Sequence, residues 1–432
     1  MTENKKMKRL TVNQRILTGL GDSQVFVPIN MVTVKIDGEI DRKKLEKIIN
    51  DLIRDNDAFS YKFHFDKDDK ELYQYLDDGV VYKLDERICE GSTYEEKYDY
   101  VRRGVHELRN SMSLNIGNDI VPWAFVLFDL GGEEHIFCMM ICHLIADGAA
   151  NEIISQQIIN RYNDRPVKNG PGMSELIKEQ DEYYESEEYK NLLEKKAEEI
   201  KRTLEYKPFL VIKPDGTGEA YTEKLFDIEK KDIEEFCQKK RLGYFHLMMY
   251  LLHLTLTVFY EKNETRVYTN VMNRNNKYMN TVGHAFGSFF STFELDKEKK
   301  LSDSAIDCRN KYLRGRELVP VYSEIVAEKK YAIECGLSYA NFLSNYDKMI
   351  DFGKAKACVL DDPTFRDEGV ANMMVIFGIE TDDAILLNLF TNDYILSLEE
   401  TEKFGNIIRK GLEYLIEDKT VGEFIDECKK ID

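Results

Sequence analysis

A histidine and an aspartate four positions apart offer the clearest chemistry in this sequence. His143, Asp147 and Gly148 form the pattern HxxxDG directly after the apolar run at 136–142. Histidine titrates near neutral pH, so His143 is a candidate general base. The structural alternative is a core histidine that bonds a backbone carbonyl. Asp147 could orient His143 as in a catalytic triad, or it could cap the helix that follows.

The other residues near His143 support few catalytic chemistries besides proton transfer. Gly148 permits close backbone approach, and amides at a helix start stabilise negative charge, although a tight turn is an equal explanation. Cys142 adjoins His143, but strand alternation sends neighbouring side chains to opposite faces, which disfavours a cysteine nucleophile. The sequence contains no glycine-rich phosphate loop, GxSxG or HExxH pattern and no zinc ligand set around His143. We therefore predict no bound metal and no resident cofactor.

The elements that must position His143 are a hairpin and a helix. Apolar runs at 120–130 and 136–142 flank the turn signal Gly131-Gly132, which predicts a hairpin whose second strand enters the core. His143 then lies at the end of a buried strand. Isoleucines at helical spacing predict a helix over 148–162, so His143 and Asp147 share the short loop between strand and helix.

Composition narrows the class of protein. The chain has 432 residues, 43% of them hydrophobic, and a formal net charge of -19. That charge argues against nucleic acid, whose backbone needs a basic face. Eight cysteines without a CxxC pair or a signal peptide are typical of reduced thiols in the cytoplasm. The apolar stretch 244–260 is shorter than the roughly 20 residues of a membrane span, so we predict a core helix there.

The remaining pattern predicts strands and helices in both halves of the chain. Breaker residues over 163–172 indicate a boundary, which divides the chain into an N-terminal lobe, 1–165, and a C-terminal lobe, 166–432, with a long charged helix over 174–205 at the junction. This mixture favours an α/β sandwich in two lobes. The other predicted elements are strands at 31–36, 58–65, 72–76, 225–228, 266–272, 286–295, 371–379 and 384–390, and helices at 41–55, 94–111, 231–240 and 398–417.

Five stretches together resemble the chloramphenicol acetyltransferase-like superfamily, which includes nonribosomal peptide condensation domains, alcohol acetyltransferases and plant HxxxDG acyltransferases. They are IDGEIDRKKLEKIINDLIRDNDAFSYKF, HLIADG, VYTNVMNRNNKYMNTVGHAFGSFF, LSNYDKMIDFGKA and ILLNLFTNDYILSLEETEKF, in the family's order. Two positions depart from the pattern. Cys142 stands where many condensation domains have a second histidine, which favours acetyltransferase-type members. Asp351 to Gly353 echo the plant DFGWG motif, yet Lys354 follows, so we do not expect the motif's role to carry over.

The resemblance implies two acetyltransferase-like lobes with a tunnel between them and His143 as the general base. It implies that Asp147 points away from His143 and pairs with an arginine, for which Arg274 is the matching position. Hydrogen bonds near the thioester are expected from Ser344 and Asn345, with a strand-end turn as the alternative. His284 could line the acceptor side, with a structural histidine as the alternative.

The implied co-substrate is acyl-coenzyme A or an acyl-phosphopantetheine carrier, and the acceptor is a small alcohol or amine. The first hypothesis is a free-standing acyltransferase, and the second is a stand-alone condensation enzyme that forms an amide between carrier-bound substrates. A non-catalytic docking module of the same fold is the third. Any carrier would be a separate protein, and we expect a cytoplasmic monomer without a membrane span.

Overall fold

The computed structural model describes residues 6–20, 25–77, 79–205, 220–329, 334–341, 348–360 and 373–430. Its strands run through both halves of the chain, as the sequence predicts. In chain order they are β1 (Lys8–Arg9), β2 (Gly19–Leu20), β3 (Val25–Phe26), β4 (Ile29–Asp37), β5 (Tyr61–Asp66), β6 (Glu71–Leu76), β7 (Asp85–Ile88), β8 (Trp123–Gly131), β9 (Glu134–Cys142), β10 (Ala220–Glu229), β11 (Glu264–Val271), β12 (Gly287–Glu294), β13 (Cys335–Ala340), β14 (Ile350–Phe352), β15 (Ala355–Val359), β16 (Met374–Glu380) and β17 (Ala384–Asn392).

The helices are interspersed with these strands, and several of them begin at a side chain that bonds the free backbone N–H groups of the first turn. Asp41 caps α2 and Asp147 caps α4, while α3, α11 and α12 begin with capping boxes. In chain order the helices are α1 (Val12–Arg15), α2 (Arg42–Asp55), α3 (Tyr94–Asn115), α4 (Gly148–Tyr162), α5 (Met173–Glu185), α6 (Glu187–Leu204), α7 (Lys230–Lys240), α8 (Tyr244–Phe259), α9 (Leu301–Gly315), α10 (Val319–Lys329), α11 (Leu398–Ile416) and α12 (Val421–Cys428).

The first compact unit contains the HxxxDG segment and consists of Met1–Asn191, Met272–Phe286 and Ser344–Arg366. Its main sheet has six strands in the order β14-β15-β4-β9-β8-β7. All neighbours in this sheet are antiparallel except β7 and β8. The predicted hairpin is confirmed as β8 and β9, and β9 lies inside the sheet between β4 and β8.

Strand β9 is buried on both faces, which explains why its sequence is a continuous apolar run rather than an alternating one. Phe137, Met139 and Ile141 belong to one hydrophobic cluster, which also contains buried residues of α2 and α4. Cys138 and Met140 belong to the cluster that includes buried residues of α3. The end of β9 is therefore held rigidly, and so is the residue that follows it, His143.

The second compact unit consists of Leu192–Val271, Gly287–Leu343 and Asp367–Asp432. Its six-stranded sheet has the order β10-β17-β16-β13-β11-β12. Helix α8 supplies much of the core, because every residue from Leu247 to Thr257 is buried. The mixed α/β architecture with two lobes is confirmed, and so is the prediction that 244–260 forms a core helix.

These units differ from the predicted division at residue 165. The segments 272–286 and 344–366 both belong to the first unit, although they come late in the chain. Backbone bonding gives the physical reason: β15 pairs with β4, and Gly170 N donates to Asn280 O at 3.0 Å. One domain boundary in the sequence cannot describe two units that are each built from several separate segments.

Two predicted elements need correction. The charged stretch 174–205 is two helices, α5 and α6, because Ser186 is extended and its hydroxyl accepts from Tyr189 N at 3.1 Å, which starts a new helix. The predicted strand 58–65 begins only at Tyr61, since Asp57–Ser60 form a 3-10 turn. The elements that were not predicted are helices α1, α9, α10 and α12 and strands β1, β2, β3, β7, β13, β14 and β15.

Membrane-spanning character is weak in the described part of the chain. No single helix there combines the length and hydropathy of a span. Helices α7 and α8 reach the length and hydropathy of a span only when they are taken together, and the chain bends by 97° at the break between them. Since α8 is buried within the second unit, its apolar composition is explained by core packing.

Candidate active site

His143 follows β9 directly and is the accessible residue of an otherwise buried loop. Its backbone N–H donates to Pro28 O at 2.9 Å, which continues the pairing of β9 beyond Cys142. From Ile141 to Asp147 every residue is buried except His143, which is partly exposed as a whole although its Nδ1 is buried. The fold therefore places a partly exposed histidine on a buried, rigid support.

Two side chains from distant segments hold this loop through its backbone carbonyls. Gln14 Nε2 donates to Leu144 O at 2.9 Å. Asn30 Nδ2 donates to Ala146 O at 2.8 Å. Buried carbonyl groups need such partners, and a lost partner costs about 1–3 kcal/mol. The sequence offered no signal for either residue, because neither belongs to a recognisable motif.

Asp147 uses both carboxylate oxygens for structural contacts. Oδ1 accepts from Ala150 N at 2.9 Å and from Arg274 Nη2 at 2.8 Å, and Oδ2 accepts from Ala285 N at 2.9 Å. Burial acts to raise the pKa of Asp147, but the Arg274 charge and the two amides outweigh it and hold the pKa below its ordinary value. Asp147 is therefore a charged helix cap and an ion-pair partner.

Arg274 ties the segment 274–283 to the HxxxDG loop. Its Nη1 donates to Tyr278 O at 3.1 Å and to Thr281 O at 2.6 Å, and its Nη2 donates to Gly283 O at 2.8 Å as well as to Asp147. The side chains of Arg274 and Asp147 are 1% and 6% exposed. The structure thus places the two residues together as the resemblance implied, in a buried pair with additional hydrogen bonds.

Three aromatic rings meet at His143. The His143 ring centroid lies 5.6 Å from that of His284 and 5.3 Å from that of Phe286, and the last two are 4.4 Å apart. All three contacts are edge-to-face. The structure therefore brings His284 to His143, and it adds Phe286, which sequence analysis did not single out because an apolar strand end predicts only a core residue.

Burial keeps both histidines neutral near physiological pH. It lowers the pKa of His143 below its ordinary value, although the Asp147 charge acts in the opposite direction. Burial also lowers the pKa of His284, to about 3. A neutral imidazole has a free lone pair, so His143 can accept a proton without first losing one.

The remaining predicted site residues have different surroundings. Cys142 is buried, and burial raises the pKa of its thiol to about 12, which leaves no thiolate for nucleophilic attack. Gly148 is the first residue of α4 and is not among the glycines with positive φ, so a left-handed turn does not explain it. Ser344 and Asn345 lie outside the described residues.

The DFG turn at Asp351 to Gly353 lies in the β14-β15 hairpin and contacts the end of α4. The Phe352 ring stacks on Tyr162 with centroids 3.8 Å apart. Asn163 bonds the turn twice, donating to Asp351 O at 2.7 Å and accepting from Gly353 N at 2.9 Å. These contacts give the turn a packing role in the first unit.

Metal ligands do not cluster in the part of the chain that the structure describes. No group of three or more histidine, cysteine, aspartate or glutamate side chains there could hold an ion. The Asp147 carboxylate is already bonded to Arg274. A neutral histidine such as His143 is able to accept a proton.

The sequence of the chain matches one known protein family. The family model described as "Condensation domain" matches residues 27–314. That match covers most of the first compact unit and continues into the second. No curated protein sequence matches the chain.

Solved structures share the whole fold at low sequence identity. The X-domain from teicoplanin biosynthesis has a TM-score of 0.76 and 13% identity, with 98% of each chain covered, and its complex with OxyB matches as well. The first condensation domain of the calcium-dependent antibiotic synthetase, with a substrate analogue, gives 0.71 and 13% over 97% and 99% of the chains. A mutant starter condensation domain of the rhizomide synthetase RzmA with C8-CoA gives 0.75 and 11% over 96% of each.

Proposed function

The chain belongs to the condensation-domain family, and we propose that it transfers an acyl group from a phosphopantetheine thioester to an alcohol or amine. His143 acts as the general base. It takes the proton from the acceptor as the acceptor oxygen or nitrogen attacks the thioester carbonyl. The carbon–sulfur bond then breaks, and the proton returns to the departing sulfur, which leaves as a thiol. No acyl-enzyme intermediate is needed.

The observation that carries this proposal is His143, the one partly exposed residue of an otherwise buried loop. His143 is partly exposed and its pKa is lowered, as a base requires. Asp147 is committed to Arg274 and two amides, which favours an anchoring role over a triad role. In this proposal Asp147, Gly148 and Arg274 shape the site, and His143 does the chemistry.

The donor is a co-substrate and not a resident cofactor. The rhizomide starter domain was solved with C8-CoA, and the antibiotic synthetase domain with a substrate analogue. We propose coenzyme A or a separate acyl carrier protein as the source of the thioester here. The finer alternative is amide formation between two carrier-bound substrates, which uses His143 in the same way.

A docking module is the second candidate. The similarity to the X-domain favours it, because that domain also forms a complex with the partner OxyB. The buried Asp147–Arg274 pair is consistent with either function, since it stabilises the fold. The neutral, accessible His143 favours the enzyme, because a docking surface needs no base.

Acceptor-dependent thiol release tests this proposal. Purified protein is offered acetyl- to long-chain acyl-coenzyme A, and in parallel acyl carrier protein, with pooled alcohols and amines, and products are identified by mass spectrometry. We expect release that requires an acceptor and is lost in His143→Ala. Turnover that requires both donor and acceptor to be carrier-bound would indicate the condensation reaction. Absence of turnover with every donor would contradict the enzyme and favour the docking module.

A further inference from the structure

The Phe286 ring lies directly against the imidazole of His143. The two ring centroids are 5.3 Å apart, and the ring planes are nearly perpendicular, at 83°. Rings at this separation and angle are in van der Waals contact, so no atom of a substrate fits between them. An acceptor must therefore reach His143 beside the Phe286 ring, and the ring limits the space available to it.

The second ring in contact with His143 differs from Phe286 in kind. His284 is 2% exposed and hydrogen-bonds the His143 backbone, so it belongs to the support of the base. Phe286 is 7% exposed, and its side chain has no polar atom that could make such a bond. Its contacts with the two histidines are apolar ring contacts. What Phe286 contributes at the site is therefore bulk, at a fixed place beside the base.

The backbone that carries Phe286 is held on its N-terminal side. Ala285 is fully buried, and its N–H donates to Asp147 Oδ2 at 2.9 Å. Two residues before Ala285, the backbone at Gly283 is packed so closely that a Cβ there would meet Met173 Cγ at 3.3 Å. A segment packed at this density does not move aside for a ligand without cost. The Phe286 ring is thus a fixed boundary to which a substrate must conform.

We propose that Phe286 determines acceptor specificity, and that it admits unbranched primary alcohols or amines and excludes acceptors that are branched at the reacting carbon. This inference rests on the proposed function, since it names the acceptor class for the base His143. A general base must lie about 2.6–3.2 Å from the oxygen or nitrogen whose proton it takes. The carbon that bears this atom then lies beside the Phe286 ring. A linear chain extends away from the ring, whereas a branch requires space that the ring occupies.

The expected effect on specificity is large enough to measure. One methylene that fits or does not fit an apolar pocket changes kcat/KM by about 10- to 200-fold. We expect the wild type to prefer the unbranched member of a matched acceptor pair by a factor in this range. Phe286→Ala should remove most of this preference, mainly by raising kcat/KM for the branched acceptor. Phe286→Leu keeps part of the bulk and should give an intermediate ratio.

Competition between acceptors tests the proposal. With one acyl donor that supports turnover, n-butanol competes against sec-butanol and n-butylamine against sec-butylamine, and mass spectrometry gives the product ratios. Phe352→Ala is the control, because it also removes a buried phenyl ring, 3% exposed and stacked on Tyr162, and should leave the ratios unchanged. An unchanged ratio in folded Phe286→Ala would refute the proposal, and so would an equal change in Phe352→Ala. If Phe286→Ala does not fold, Phe286→Leu decides by the same ratios.

Chemical modification of His143 tests the same geometry without turnover. Diethyl pyrocarbonate reacts with neutral imidazole, and peptide mass spectrometry gives the modification rate at His143 itself. We expect a higher rate in Phe286→Ala than in the wild type and no increase in Phe352→Ala. Equal rates in the wild type and Phe286→Ala would show that the ring does not limit access to the base, which would overturn the proposal. Full activity of His143→Ala, or no turnover of the wild type with any donor, would instead refute the proposed function and the acceptor role with it.

Discussion

The buried ion pair between Asp147 and Arg274 makes the strongest stability prediction. Replacing Asp147 by alanine removes a counter-charge from a guanidinium whose side chain is 1% exposed. It also removes the cap of α4 and the acceptor for Ala285 N. We expect Asp147→Ala to unfold more easily and to lose activity, because the segment that carries His284 is released together with the loop that carries His143.

The size of this effect can be worked from the contacts. Loss of one member of a buried pair costs about 3–5 kcal/mol. Loss of a helix cap costs about 1 kcal/mol. Arg274 keeps three carbonyl partners, so we take the lower end, about 4 kcal/mol in total. At about 2–4 °C per kcal/mol for a folding unit of this size, Tm should fall by roughly 8–16 °C.

Differential scanning calorimetry measures this fall, and a matched variant isolates its cause. Asp41 is also an N-cap aspartate, at α2, but it is exposed, and it makes no ion pair with the residues that the structure describes. Asp41→Ala should cost about 1 kcal/mol. The double variant Asp147→Ala/Arg274→Met should be less damaged than the two single effects added together. If Asp147→Ala and Asp41→Ala melted at the same temperature, the structural role of the pair would be refuted.

Three further predictions concern pH, a thiol and a turn. A general base must be unprotonated, and burial lowers the pKa of His143. We therefore expect kcat/KM to rise with pH through a midpoint below 6.5 and to be flat above it. A midpoint at or above 6.5 in a pH–rate series would contradict this assignment. Cys142→Ala should retain turnover, since the buried thiol has a pKa of about 12, and a 10²-fold loss would instead indicate a nucleophile. Gly353→Ala should lower the free energy of unfolding, measured by chemical denaturation, more than Gly132→Ala does. Both glycines have φ near +65°, but only at Gly353 would the new Cβ meet the Tyr162 ring, at 2.8 Å. Equal losses of unfolding free energy would show that the Tyr162 ring moves aside, which would contradict this prediction.

Local patterns predicted the elements around the site well. Helix α4 has the predicted bounds, Gly148–Tyr162, and β9 includes the predicted run. Both succeed because the signals are local: an aspartate before an isoleucine stripe starts a helix, and an unbroken apolar run between turns forms a buried strand. The order of the hairpin, loop and helix then follows from the chain itself.

The partners of the site come from distant segments, which local patterns cannot reach. Gln14 and Asn30 bond the loop from far upstream, and Phe286 arrives from the segment before β12. Arg274 was found only through the family resemblance, since an arginine after a strand has no intrinsic signature for a buried ion pair. The helix break at Ser186 was missed for a different reason. The charged helical pattern continues across this serine, which ends one helix and caps the next.

The single-turnover rate of acyl transfer in His143→Ala tests the central claim most directly. The donor and acceptor are the pair that gives thiol release in the wild type, and Tm confirms that the variant is folded. His64→Ala, which removes a surface histidine bonded to Asp119 in the same unit, is the control. We predict a loss of about 10² to 10⁴ in His143→Ala and no loss in the control. A folded His143→Ala that transfers the acyl group at the wild-type rate would contradict the assignment of His143 as the base.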